Sequence, residues 1–269
     1  MRIAVFGGLY SNYLALESAL ADAEKRGASR LFCLGDMGAF GPHPDRVFPL
    51  LRDHAVECIQ GNYDHSIGHG LDDCQCGYTD PRDNHFAAIS YRYTSARTSP
   101  DNRRWLRDLP PVIRMSLGDL RVLMCHGSPR KTNEFLWEST TSSAFLERLM
   151  DRFDCHLMLG THTGIHWSRQ LSGNRQFINV GVLGRPENDG SQRVWYALLD
   201  TEPVQSGKET TNICGPRVEF IPVEFDHARL AFEMEQEGLP KEFAETILTG
   251  WWTTCLEVLP GRERARGKF

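Results

Sequence analysis

The chain has 269 residues, 41% of them hydrophobic, with 30 basic against 35 acidic side chains and a net charge of -5. That length buries a full core in one domain, with room for an appendage. No basic stripe or dense Lys/Arg tract is present, so nucleic acid binding has no electrostatic footprint and no nucleic-acid partner is expected. No apolar run approaches the roughly 20 residues of a membrane helix, and the N-terminus lacks a signal-peptide pattern. A soluble, cytoplasmic protein without a membrane partner is therefore expected.

Residues 2–6 read as a strand. Leu16, Ala19, Leu20 and Ala23 then follow helical spacing. Residues 30–34 and 56–60 read as further strands, and residues 82–109 as helix broken near Pro100. Residues 112–116 and 120–125 form a predicted hairpin around Gly118-Asp119. A helix over 142–153 and a buried strand over 155–159 follow, then short strands from 165 to 199. The alternation is that of an α/β domain over residues 1–200. Residues 201–269 form an extension on that domain: a Thr/Gly/Pro/Ser-rich loop over 201–216, a strand over 217–225, helices over 228–237 and 241–248, and a frayed basic tail from 261. The aromatic stretch 238–260 docks on its own domain or forms a homodimer contact.

Cys33, Cys58, Cys74, Cys76, Cys125, Cys155, Cys214 and Cys255 are scattered. Several lie in apolar runs, where cysteine acts as a small hydrophobe, and disulfides are not expected in a cytosolic chain. Cys74-Gln75-Cys76 is the exception, since its surroundings are polar.

Five strand ends couple glycine to a ligand-type side chain: Gly7-Gly8-Leu9-Tyr10-Ser11-Asn12, Gly35-Asp36, Gly61-Asn62-Tyr63-Asp64, His126-Gly127 and Gly160-Thr161-His162-Thr163-Gly164. In an open α/β sheet such ends form the crevice where ligands gather, and glycine lets the backbone turn sharply there. Each is weak alone. Their order resembles the calcineurin-like metallophosphoesterases, from residue 1 to about residue 200, and continues into Asn179-Val180-Gly181-Val182-Leu183-Gly184-Arg185-Pro186.

The resemblance implies a four-layer α/β/β/α sandwich, here with a C-terminal helical extension. It also implies two metals bridged by Asp36, with Asn62 and His126 as further ligands. His162 takes the first histidine place of the family's Gly-His-Thr-His and Gly164 the second, if one residue is inserted. An ungapped alternative makes His162 the second. The family's opening Asp-x-His-Gly-Asn reads Gly8-Leu9-Tyr10-Ser11-Asn12 here, so two ligands of one metal are missing, and the inserted alignment removes the third at Gly164. The other metal keeps Asp36, Asn62, His126 and His162. One divalent ion per chain, Mn, Fe or Zn, suits these N/O donors.

Where the family has a proton-donating histidine, this chain has Tyr63. His65, two residues on, is the substitute candidate, and the alternative is that Tyr63 packs at the rim. The stretch from His65 to Tyr78 reads as a loop beside the crevice, with His65, His69, Asp72, Asp73, Cys74 and Cys76 as candidate replacement ligands or as a substrate cover. His156 reads as a satisfied core residue, His166 as a pocket-lining candidate, and Arg185 as a planar fork for a phosphate. The expected activity is metal-dependent hydrolysis of a phosphate monoester or diester on a small phosphorylated molecule. The rivals are redox-type metalloenzyme chemistry on the same fold and a non-catalytic metabolite-binding protein.

Overall fold

Strict alternation in the first strand puts Ile3 and Val5 on one face and Ala4 and Phe6 on the other, and all four are fully buried. A strand buried on both faces needs a layer on each side. The computed structural model, which describes residues 1–201 and 216–266, supplies both.

The strands are β1 (Arg2–Phe6), β2 (Ala28–Cys33), β3 (Glu57–Cys58), β4 (Val112–Leu117), β5 (Leu120–Cys125), β6 (Leu157–Gly160), β7 (His166–Leu171), β8 (Arg175–Val180), β9 (Val194–Asp200) and β10 (Arg217–Val223). They form two five-stranded mixed sheets, ordered β10-β9-β1-β2-β3 and β4-β5-β6-β8-β7. The helices are α1 (Tyr13–Lys25), α2 (Val47–Asp53), α3 (Asn62–His69), α4 (Pro81–Arg97), α5 (Pro100–Arg107), α6 (Ser143–Phe153), α7 (His227–Gln236), α8 (Lys241–Thr249) and α9 (Gly261–Arg264).

The two sheets pack face to face through Ile3, Val5, Phe32 and Ile59 on one side and Val122, Met124, Leu159 and Ile178 on the other. The outer face of the first sheet, with Phe6 and Tyr196, meets α1, α7 and α8 through Leu16, Leu230 and Phe243. The outer face of the second, with Leu123, Met158 and Phe177, meets α6 through Leu146 and Met150. Helix, sheet, sheet, helix is the expected order of layers.

β1, β2 and β3 run parallel, as do β5, β6 and β8. The C-terminal ends of each set therefore lie together at one edge of their sheet. Backbone bonds from Leu183 and Gly184 to the Gly8 carbonyl, both 2.9 Å, join those edges across the sandwich.

Several expectations need correction. The strand expected over 56–60 is only Glu57–Cys58. The stretch from His65 was read as loop, but Asn62–His69 is helix α3, ended by Gly70 in the left-handed conformation. The short helix α2 was missed as well. The break near Pro100 holds, because Ser99 caps α5 by accepting from the Asn102 N–H. The tail is not frayed over its described part: Glu263 is buried and accepts from the Ser139 hydroxyl at 2.6 Å and its N–H at 2.9 Å. The loop expected over 201–216, with Cys214, lies almost wholly outside the described residues. β10 extends the first sheet directly, so the C-terminal segment shares that sheet's hydrogen bonding. Trp252 and Leu259 bury themselves against Trp137 and Ile165 of the same chain.

Candidate metal centre

Asp36 follows β2 in a left-handed turn with φ of 57°, a conformation uncommon outside glycine. Two sets of bonds hold it there. The buried Asp64 carboxylate accepts the backbone N–H of Asp36 at 2.6 Å, of Met37 at 3.0 Å and of Gly61 at 2.8 Å. The Asp36 carbonyl accepts from Leu9 at 2.9 Å and Tyr10 at 3.1 Å. The turn after β1, which lacks side-chain ligands, thus braces the aspartate with its backbone. The sequence signal for Asp64 was its place in Gly61-Asn62-Tyr63-Asp64; its clamp on Asp36 was not anticipated.

The Asp36 side chain faces His126 and His162. Asp36 Oδ2 is 3.2 Å from His126 Nε2, and His126 Nε2 is 3.2 Å from His162 Nδ1. One donor atom from each of the three lies within 4.8 Å of the others, and all three side chains are buried. His126 Nδ1–H donates to the Leu34 carbonyl at 2.6 Å, which orients the ring and turns Nε2 toward Asp36. His162, at φ of 70°, is the second non-glycine left-handed residue of the centre. Its Nε2 is buried without a partner.

Asn62 completes the set. Its amide nitrogen donates to the Cys74 carbonyl at 2.8 Å, while its buried Oδ1 has no partner. A buried amide oxygen left bare costs free energy unless something fills it. Asn62, Asp36 and His162 line one cavity. A carboxylate, two imidazoles and an amide oxygen fit a borderline divalent cation such as Mn, Fe or Zn.

The charges fit a cation as well. Burial pushes the Asp36 carboxyl up, but the adjacent His126 imidazole outweighs it and holds Asp36 below the ordinary range. Burial pulls His126 down while Asp36 lifts it above the usual imidazole value. Burial and the neighbouring His126 push His162 down to about 3, which keeps its ring neutral. Asp64 is raised above the usual carboxylate range by burial and by Asp36.

Glycine makes the close packing possible. A Cβ on Gly61 would lie 2.2 Å from Asp36 Oδ1 and 2.9 Å from His126 Cε1.

Gly8 and Gly164 are crowded by aromatic rings. A Cβ on Gly8 would meet the Tyr10 ring at 2.7 Å. A Cβ on Gly164, at φ of 82°, would meet the Trp252 ring at 2.9 Å. Tyr10 and Trp252 therefore occupy the space next to Gly8 and Gly164.

Other sequence candidates separate. Tyr63 lines the cavity, and its hydroxyl donates to Ser90 Oγ at 3.0 Å. Burial raises its phenol above the ordinary value, so it is a poor acid at neutral pH. His65 does not reach the site: on α3 its Nδ1 meets Gln60 Oε1 at 3.1 Å and its ring packs on His69. Helical geometry, unforeseen in a stretch read as loop, puts it on the other side of α3 from Tyr63. His166 also goes elsewhere, to Glu187 Oε1 at 2.6 Å, so His162 is the histidine beside His126. His156 is half-buried, and its Nδ1 accepts from the Arg121 N–H at 3.2 Å. Cys74 and Cys76 are buried and joined as a disulfide, so neither offers a thiolate as a replacement ligand. Arg185 lines the same cavity as Asp36.

Comparison with known proteins places the chain in a family and a fold. Residues 1–203 match the calcineurin-like phosphoesterase superfamily domain. An uncharacterized protein of Methanocaldococcus jannaschii is 25% identical over 263 residues, covering 92% of this chain and 98% of its own. A metallophosphoesterase from Sphaerobacter thermophilus has a crystal structure that superposes with a TM-score of 0.68 at 25% identity, covering 93% of this chain and 99% of its own. A hypothetical protein from Pyrococcus horikoshii shares the fold at TM-score 0.76 and 21% identity, over 94% of this chain and 99% of its own.

Proposed function

Since the chain belongs to the calcineurin-like phosphoesterase superfamily, we propose that it is a phosphoesterase working with one divalent metal, held by Asp36, Asn62, His126 and His162. The observation that carries this reading is the buried meeting of Asp36, His126 and His162 donor atoms within 4.8 Å, beside the bare Oδ1 of Asn62. The crowding at Gly8 and Gly164 supports a single ion.

When bound, such a metal supplies Lewis acidity toward a phosphoryl oxygen and a nucleophilic water at neutral pH. The chain does the rest. Asp36, clamped through Asp64, keeps its carboxylate fixed and ionised. The Leu34 carbonyl holds the His126 ring in one orientation. Tyr63 offers a neutral O–H at the cavity wall but no acidity near pH 7, and His65 is out of reach. With no tuned acid at these two positions, the reading favours esters whose leaving groups need little protonation.

The test is elemental analysis of protein purified without chelator, beside His126→Ala, with p-nitrophenyl phosphate and bis(p-nitrophenyl) phosphate as substrates. One metal per chain, lost in the variant together with turnover, is the expected result. Metal content and hydrolysis untouched by His126→Ala would overturn it.

A further inference from the structure

The cavity beside the metal centre contains a cation that the hydrolysis reading does not use. Arg185 follows β8 and is 6% exposed. Among the described residues it forms no ion pair, and its Nε is buried with no hydrogen-bond partner. Buried guanidinium groups are ordinarily paired, because an unpaired buried charge is costly. What Arg185 has instead is aromatic support. Its Cζ lies 3.5 Å from the Trp252 ring centre, 5.7 Å from that of Phe40 and 6.0 Å from that of Tyr10. These faces favour a cation but leave the in-plane N–H fork unspent.

The support is fixed to the loop it serves. Trp252 Nε1 donates to the Pro186 carbonyl at 2.6 Å, and its backbone N–H donates to Asn188 Oδ1 at 3.0 Å. The C-terminal extension thus holds Arg185 from behind, in a pocket also lined by Asp36, Asn62 and His162. That pocket measures about 40 Å³, room for several oxygen-sized groups.

We infer that Arg185, backed by Trp252, is the fixed cation of a phosphoryl-binding subsite, and that it does on one side of the substrate what a second metal does in two-metal enzymes. This rests on the metal-site reading above and names the group that its substrate presents to the cavity: a dianionic phosphoryl head, with the ester substituent at the mouth. Two cations on either side of a phosphoryl group clamp it and offset the charge that develops on its oxygens. Arginine suits the task, because its planar fork takes two oxygens at once and stays charged at any working pH. No bond is made or broken by Arg185 itself.

The test uses the full chain loaded with Mn(II), inorganic phosphate as probe, and calorimetry as readout, with wild type, Arg185→Gln and Arg185→Lys compared. Metal stoichiometry and melting temperature are measured on each. Phosphate is expected to bind wild type, to bind Arg185→Gln about 10- to 100-fold more weakly, and to fall between these for Arg185→Lys, with metal content unchanged throughout. The lysine variant keeps the charge and stem, so it reports on the subsite even if the glutamine variant folds poorly. Equal phosphate affinity in all three proteins, or no phosphate binding by the metal-loaded wild type, would overturn the subsite. Binding that depends on Arg185 in a protein that hydrolyses neither test ester would instead retain the subsite and reject the hydrolase reading.

Discussion

Adding one methyl group at Gly61 tests whether the close packing of the metal centre is what shapes it. Gly61 has φ of -87°, so alanine is conformationally acceptable there and any effect is steric. Its Cβ would lie 2.2 Å from Asp36 Oδ1, 2.6 Å from the Asp36 nitrogen and 2.9 Å from His126 Cε1. Two of these atoms belong to the side chains of the proposed ligands and the third to the strained turn that aims one of them. None is the loose end of a flexible side chain, so relief requires moving Asp36 or His126. Overpacking of this kind costs about 1–3 kcal/mol. If the strain falls on the ligands, metal affinity drops by about 5- to 150-fold. Gly70→Ala is the control. That position has φ of 67° with open space around it, so alanine pays roughly 1–2 kcal/mol of backbone strain and touches no ligand. Titrating both variants with Mn(II) by calorimetry, and melting both, separates the two costs. Gly61→Ala is expected to lose metal affinity, and Gly70→Ala to lose only thermal stability. Wild-type metal binding by Gly61→Ala would refute the placement of Asp36 and His126 around that glycine.

Two further changes probe the supports of the site and of the extension. Asp64→Asn leaves one acceptor oxygen for three backbone N–H groups and turns an amide toward one of them, so it should cost about 1–3 kcal/mol and lower the melting temperature by several degrees. Its metal affinity should fall by roughly 10- to 100-fold through the freed Asp36 turn, and an unchanged Mn(II) isotherm would count against the clamp. Glu237, at the end of α7, is pushed up by burial. The Tyr93 hydroxyl at 3.0 Å and the Arg97 guanidinium at 2.5 Å outweigh this and hold it below the ordinary 4.5. With a depressed folded value, its contribution is present above the unfolded pKa and is lost as pH falls through the folded one. Glu237→Gln should therefore flatten the acid limb of melting temperature against pH, and an identical limb in the variant would show that this pair does not anchor the helix.

What the sequence determined by itself was the order of the strand ends and the chemistry placed on them. The apolar run over residues 3–6 and helical spacing in Leu16, Ala19, Leu20 and Ala23 are local properties, so the layers were legible. So was the pairing of glycine with Asp36, Asn62, His126 and His162 in family order. The sequence did not decide which of those groups meet, because that depends on two sheets packing with their parallel strands ending at a common crevice. His65 shows the limit: two residues from Tyr63 in sequence, it is put on the other side of α3 by the helical turn and meets Gln60 instead of the cavity. Asp64 shows it in the other direction, since a carboxylate in a ligand motif proves to hold three backbone N–H groups rather than face a metal. His166 meets Glu187 rather than His126, and the C-terminal stretch reaches the cavity only because Trp252 folds back onto the loop carrying Arg185. Chemistry and period are written in neighbouring residues, whereas contact across 67 residues, as between Arg185 and Trp252, exists only once the core has closed.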